Sequence, residues 1–528
     1  MDYSLKLEKY VLSIRQRFSE IQLTAFIAAI LIGFIAHGYA LFNRISYHDN
    51  AACLFSLGGT YESGRWALGF IYDIQMKTTK LFAVPVFNGL LSLIFIALSA
   101  MLIIEMLNAK SKIWAVYIGI IMAVYPVVTS IFSFMFTAWE YFLALLLAVY
   151  AVYVLEKKRS IWRFIASAVI LSISLGLYQA FFAVTIGLFL IIMFMDVING
   201  KITSVKEYVL RGVLALCQLV TGLGIWAIMR KATQIIKGIE AVEYKGMSDG
   251  YSVALFPKRL VMAYKAFFGF AQEGINATLY LRVFTALVVV VAIIQIVYAL
   301  IISKQKASIK CISIIGLILL PLAMTVVYIL STSDEYQVDT LMLYGNVLIF
   351  IIPALMIEWL EQTGHAEGLV TRIVSCGTWL QILALVILAF GYTYMDNAAY
   401  MKGEIAVEQA TAYFTELVAN IKSTDGFDDD MEIIFVGWDK LEDGTNAKVD
   451  ADDQLEAIKL EKFPRFTDII TYGGSKYFMQ EHLGFGNDLL VEDDGTVAAE
   501  AEVQAMPTYP DDGSIKVIDN RIIVKLGE

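Results

Sequence analysis

The residues best suited to chemistry fall in one early stretch, YHDNAACLFSLGGTYESGRWALGFIYDI, residues 47–74. Asp49, preceded by His48, closely follows the first long apolar run, where water meets the bilayer. A carboxylate there can take a proton from a hydroxyl nucleophile. Arg65 lies in Gly64-Arg65-Trp66, where the chain turns back toward apolar sequence. A guanidinium can grip a phosphate through forked, charge-assisted hydrogen bonds, and Trp66 can rest against a sugar face or an apolar tail. The plainer alternative is an exposed loop acid and an arginine whose stem lies along apolar surface with its head in water. Residue chemistry alone leaves both open.

Other polar residues fall at informative places. Glu140 is placed half-way along the fourth apolar run, where a buried acid is costly and either pairs with a neighbour or serves function. Tyr178 and Gln179 fall at the turn between the fifth and sixth runs, on the side of Asp49. Lys258 and Arg259, with Arg230, Lys231 and Arg282, supply cations on that side. No phosphate-cradling glycine loop, HExxH or GxSxG sequence occurs, and no cysteine or histidine set has metal-ligand spacing. The acids at 425 and 428–430 lack the spaced oxygens and terminal Glu of a calcium loop and fit a solvated turn. No cofactor is implied, and a divalent cation is left open.

The elements that must position these groups follow from hydropathy. The chain has 528 residues, 58% hydrophobic and only 17% charged. Residues 1–394 carry a net charge of +8 and residues 395–528 a net charge of −18, which divides the chain into a polytopic membrane body and an acidic tail. Nucleic acid is not a partner of such a surface. Eleven runs approach the ~20 residues that cross a ~30 Å hydrocarbon core: Ile21–Phe42, Leu81–Leu107, Ile113–Val128, Ile131–Leu155, Ile161–Ser174, Leu177–Val197, Gly212–Met229, Val283–Ile302, Cys311–Leu330, Leu341–Leu360 and Ile373–Tyr394. Pro126 and Gly176 mark the turns between the closest pairs. The first run is too long for a cleavable signal peptide. With the N-terminus inside, the inner loops hold 17 Lys and Arg in 66 residues and the outer ones 12 in 109. That bias is the one the positive-inside rule requires, and it sets the long loops 43–80 and 230–282 outside with the tail. The stretch Phe256–Gly274 has helical apolar spacing and fits either an interfacial helix or a helix packed on the body. The tail is expected to be α/β, with a helix at Ala399–Ile421, a buried strand at Met431–Trp438 and a hairpin around Asp519-Asn520.

Taken in order, the early loop Asp, the Gly64-Arg65-Trp66 segment, the Leu177-Tyr178-Gln179-Ala180 turn, Asn397-Ala-Ala-Tyr400 after the last run and the tail's PTYPDDGSI (Pro507–Ile515) resemble the Gtr-type bacterial glucosyltransferases. The resemblance implies a membrane α-helical fold of GT-C type with a C-terminal extracytoplasmic α/β domain, in the bacterial cytoplasmic membrane. It implies transfer of a sugar from a polyprenyl-phosphate-linked donor to an envelope glycan, with Asp49 as the loop acid and Arg65 at the donor phosphate. Many members carry adjacent acids where this chain has Asp49-Asn50, and GRP where it has Gly64-Arg65-Trp66. Two other functions fit a polytopic chain: a flippase or transporter of lipid-linked sugars, which would need a polar path and broken helices, and a non-enzymatic envelope-assembly protein acting through its tail.

Overall fold

The structure is a computed structural model and describes residues 3–45, 49–80, 83–240, 253–269, 278–330, 338–363, 369–438 and 472–527. Helix α1 (Tyr3–Arg15) leads to α2 (Glu20–Phe42), which begins at a capping box: the Ser19 hydroxyl accepts from the Gln22 N–H and the Gln22 side chain from the Ser19 N–H. The first loop holds α3 (Asp49–Ala52) and α4 (Trp66–Thr78). There follow α5 (Pro85–Leu107), α6 (Lys112–Val124), α7 (Val127–Phe132), α8 (Ala138–Lys157), α9 (Ile161–Leu177), α10 (Phe182–Ile198) and α11 (Val205–Lys237). Next come α12 (Phe256–Gly269), α13 (Leu279–Ile302), α14 (Ala307–Met324), α15 (Val326–Leu330), α16 (Leu348–Thr363) and α17 (Leu369–Lys422).

Among the described residues, ten helical segments are long and apolar enough to cross a bilayer, and α9, with 17 residues, is a shorter eleventh. The chain is a multi-pass membrane protein, and each apolar run read from the sequence is mainly helical over its described residues. Helix α5 packs between α2 and α8, α9 joins α8 to α11, and α17 lies against α2 and α13. The packing is close where residues are small. A methyl group on Gly119 of α6 would collide with the Ala25 carbonyl of α2, so the two backbones touch as small residues allow in membranes.

Helix boundaries depart from the apolar runs in four places. Pro126, α7 and a short 3-10 turn at Met135–Thr137 occupy the start of the fourth run, so α8 begins at Ala138. Glu140 therefore lies in the first turn of α8, near the end of the body that carries the first loop, and not half-way along the span. The turn expected at Gly176 falls instead at Tyr178, whose extended backbone ends α9. Helix α11 has 33 residues, so at 1.5 Å each it reaches roughly 50 Å, well past a ~30 Å core. The last span and the expected tail helix are one helix, α17, of 54 residues, which by the same rise is roughly 80 Å long. Helix α12 packs on α14 and α15, with Tyr264 donating to the Ile318 carbonyl at 2.7 Å, as a loop helix held on the body does.

A buried polar chain ties α2, α7 and α17 together. The His37 ring nitrogens meet the Tyr400 hydroxyl and the Ala123 carbonyl, each at 2.8 Å. Tyr400 donates to Thr129 at 3.3 Å, and Thr129 to Asp396 at 2.6 Å. Beyond α17 the described C-terminal elements are β1 (Glu432–Val436), α18 (Tyr472–Leu483), β2 (Leu490–Glu492), α19 (Ala501–Gln504), β3 (Ile515–Ile518) and β4 (Arg521–Lys525). The sheet order is β2-β1-β4-β3, with β1 parallel to both β2 and β4. Strands β3 and β4 form the expected hairpin; Asp519 and Asn520 both have positive φ, the signature of a tight two-residue turn.

Gly119→Ala is expected to destabilise the body by about 1–3 kcal/mol, as overpacking does when a backbone must move. Unfolding of the purified protein in detergent, followed by circular dichroism, measures the loss.

Candidate functional site

The first loop is irregular between α3 and α4, and three of its backbone carbonyls are held by side chains from distant helices. The Gln234 amide donates to the Tyr61 carbonyl at 3.1 Å, the Gln179 amide to the Ser63 carbonyl at 3.4 Å and the Trp226 indole to the Gly64 carbonyl at 3.1 Å. Gln234 and Trp226 both stand on α11, Trp226 near the end of its apolar run and Gln234 on the part that continues past it. Gly64 sits at φ +77°, a conformation that L side chains rarely adopt, and a Cβ there would lie 3.1 Å from Arg230 Cδ. Lys237 at the end of α11 pairs with Asp73 of α4 at 2.6 Å, and Asp73 also accepts from the Tyr61 hydroxyl at 2.8 Å.

This clamp fixes Arg65 at the N-cap of α4. Its guanidinium carbon lies 5.5 Å from the Tyr141 ring centre and 5.7 Å from that of Tyr178. Those rings are stacked on each other, 4.0 Å apart and 11° from parallel. The carbon is nearly equidistant from two parallel rings, so the guanidinium stands at the side of the stack, which limits its rotamers. Trp66 is buried with its ring against Gly176; a Cβ on Gly176 would lie 2.6 Å from Trp66 Cε2. Arg230 leans over Trp226 at 5.8 Å, and among the described residues it has no carboxylate partner. Two guanidiniums thus flank Gly64.

The Tyr141 phenol lies in the combined field of Arg65, Glu140 and Asp49. Glu140 is fully buried, and neither carboxylate oxygen makes a hydrogen bond of good geometry among the described residues; its own backbone N–H and the amide of Gln75, on α4, are the donor groups that act on it. Asp49 opens α3. Asn50 beside it is tied down on both ends, donating to the Ile45 carbonyl at 2.9 Å and accepting from the Phe136 N–H at 3.4 Å. Burial pushes the Cys53 thiol up to about 12, and the charges of Asp49 and Glu481 add to that rise. A thiol so disfavoured as thiolate is no nucleophile. Among the described residues no group of three His, Cys, Asp and Glu side chains could hold a metal ion.

Of the residues singled out from sequence, Arg65, Trp66, Glu140, Tyr178 and Gln179 come together around the Tyr141–Tyr178 stack, with Asp49 on the adjoining turn. Lys258 and Arg259 lie apart on α12, whose main neighbours are α14 and α15; Lys258 is exposed and Arg259 buried. His48 lies outside the described residues. Sequence reasoning passed over Tyr141, Gln75, Trp226, Gln234, Arg44 and α18. Of these, only Tyr141 carried a local sign, its place beside Glu140 in an aromatic-rich turn.

The Lys237 hydrogen bond, with help from Tyr61, holds the Asp73 carboxyl below the usual carboxylate range. A carboxyl depressed in the folded state stabilises it fully above about pH 4 and ceases to do so as pH falls through the lowered value. The pair is partly exposed, so its contribution is at most ~1 kcal/mol. Asp73→Asn is expected to flatten the acid-side fall in stability between about pH 4 and pH 2, seen as a smaller drop in Tm there; an unchanged slope would mean that the tie does not form.

In comparison with protein families, the family described as Glucosyl transferase GtrII fits residues 38–350, more than half of the chain and every candidate side chain from Asp49 to Arg259. No curated protein and no solved structure matches.

Proposed function

This chain belongs to the GtrII glucosyl transferase family, and from that premise we propose that it moves a glucosyl group from a polyprenyl-phosphate-linked donor to a cell-envelope polysaccharide. The reaction takes place at the outer face of a bacterial cytoplasmic membrane, with the N-terminus inside and the region from residue 395 outside as an α/β domain. The excess of Lys and Arg in the alternate set of loops supports that orientation. The body is of GT-C type, and the polyprenyl chain lies between helices, which accounts for a site at the bilayer edge.

The mechanism is a single displacement with inversion. The Asp49 carboxylate takes the proton of an acceptor hydroxyl as its oxygen attacks the anomeric carbon. The bond from that carbon to the phosphate oxygen breaks, and polyprenyl phosphate leaves with the electron pair. Arg65, braced on the Tyr141–Tyr178 stack, meets the growing phosphate charge, and Arg230 is the second cation within the same turn. Glu140 accepts hydroxyls of the glucosyl group. Trp66 and Gln179 hold the loop in register. Lys258 sits at the rim, where lipid head groups are, while Arg259 is buried on the same helix.

The observation that carries this reading is a guanidinium fixed against two stacked phenols beside a loop carboxylate, all at one end of an apolar body. Asp49→Asn is expected to abolish transfer of labelled glucose from polyprenyl-phosphate glucose while membrane expression stays normal. Retained transfer would remove Asp49 from the mechanism. Arg65→Lys keeps the charge and loses the fork; a fall in kcat of about 10²–10³-fold is expected, the range seen when one donor to a developing anion is removed.

A further inference from the structure

The C-terminal region reaches the first loop through one helix. Helix α18 packs on α3, the four-residue turn that begins with Asp49. Its last turn presents Glu481 and His482. Both are partly buried, and each has a polar atom shut away from water without a hydrogen-bond partner among the described residues: Oε2 of Glu481 and Nε2 of His482. The His482 ring is locked by stacking on Phe478, 4.3 Å apart and 11° from parallel. Across the seam stands Arg44, which follows α2 and whose charge acts on both residues. The Cys53 thiol, one residue beyond α3, feels Asp49 and Glu481 alike, so two carboxylates from distant parts of the chain flank the same turn. Next to Arg44, Asn43, Asn50, Ser133 and Tyr400 line a narrow crevice into the body.

Buried polar atoms are costly to leave without partners, and this pair, which has none among the described residues and faces one arginine beside a candidate base, marks a place for an occupant. The chemistry of the set selects it. A carboxylate and an imidazole nitrogen accept hydrogen bonds from hydroxyls, and a guanidinium donates to hydroxyl or ring oxygens. The Arg65–Tyr141–Tyr178 wall lies on the later part of the loop, so the two sides of Asp49 differ: aromatic and cationic toward Arg65, hydroxyl-accepting toward α18. We infer that Glu481 and His482, with Arg44, form the subsite for the acceptor sugar, binding hydroxyls next to the one that Asp49 deprotonates.

This inference rests on the glucosyltransferase reading and is tested separately from it. The full-length protein in detergent is given radiolabelled polyprenyl-phosphate glucose and envelope polysaccharide isolated from source cells lacking the gene. Glu481→Gln and His482→Gln are expected to raise the KM for polysaccharide about tenfold or more, as loss of a hydrogen bond to a charged or buried acceptor does, with the KM for the donor within twofold of wild type. An unchanged polysaccharide KM, or an equal rise for the donor, overturns the subsite. Wild-type protein that binds the donor but transfers nothing overturns the parent reading instead. A variant that leaves Glu481 and His482 in place gives a second reading independent of their folding effects. Tyr477 on α18 is 41% exposed, and Tyr477→Cys offers a thiol for maleimide labelling read by mass spectrometry. Saturating polysaccharide is expected to slow labelling at that position at least threefold; an unaltered rate counts against the subsite.

Discussion

Three carbonyl groups govern the architecture of the site. Tyr61, Ser63 and Gly64 belong to a stretch with no helix or strand of its own, at the end of an apolar body, where unsatisfied backbone is costly. Side chains of Gln234, Gln179 and Trp226 donate to them. The next residue is Arg65. Because the backbone before it is pinned from two directions, its guanidinium has one place to go, against the Tyr141–Tyr178 stack.

Much else in the fold follows from keeping those three bonds. Helix α11 continues past its apolar run, and that extension carries Arg230, Gln234 and Lys237 to the loop. Gly176 is small because Trp66, the residue after Arg65, fills the space a side chain would need. Glu140 sits in the first turn of α8, at the level of the loop, because the chain breaks repeatedly between Pro126 and Thr137.

The sequence made the spans legible, and with them the loop that holds the candidate residues, because twenty apolar residues in a row have few other uses. It also exposed the β3–β4 hairpin, since Asp519-Asn520 tolerates positive φ at both positions. What stayed hidden was contact between distant segments. Hydropathy stops where polar residues begin, so it ended the seventh run at Met229 while α11 runs on to Lys237, and it split α17 in two. Gly176 looked like a turn because its true neighbour, Trp66, is 110 positions away. Helix α18 had no local mark at all: Glu481 and His482 are ordinary residues until α3 is placed beneath them. The family match confirms the resemblance that these motifs carried and stops at residue 350, before the whole C-terminal region.

The central claim is that the pinned loop holds Arg65 for a lipid-linked phosphate. A cryo-electron microscopy map of the protein with bound polyprenyl phosphate tests it most directly. The account predicts phosphate density within hydrogen-bonding reach of Arg65, about 3 Å, with the isoprenoid tail running between helices toward the membrane. Phosphate density seated elsewhere, out of reach of the Arg65 side chain, would contradict it.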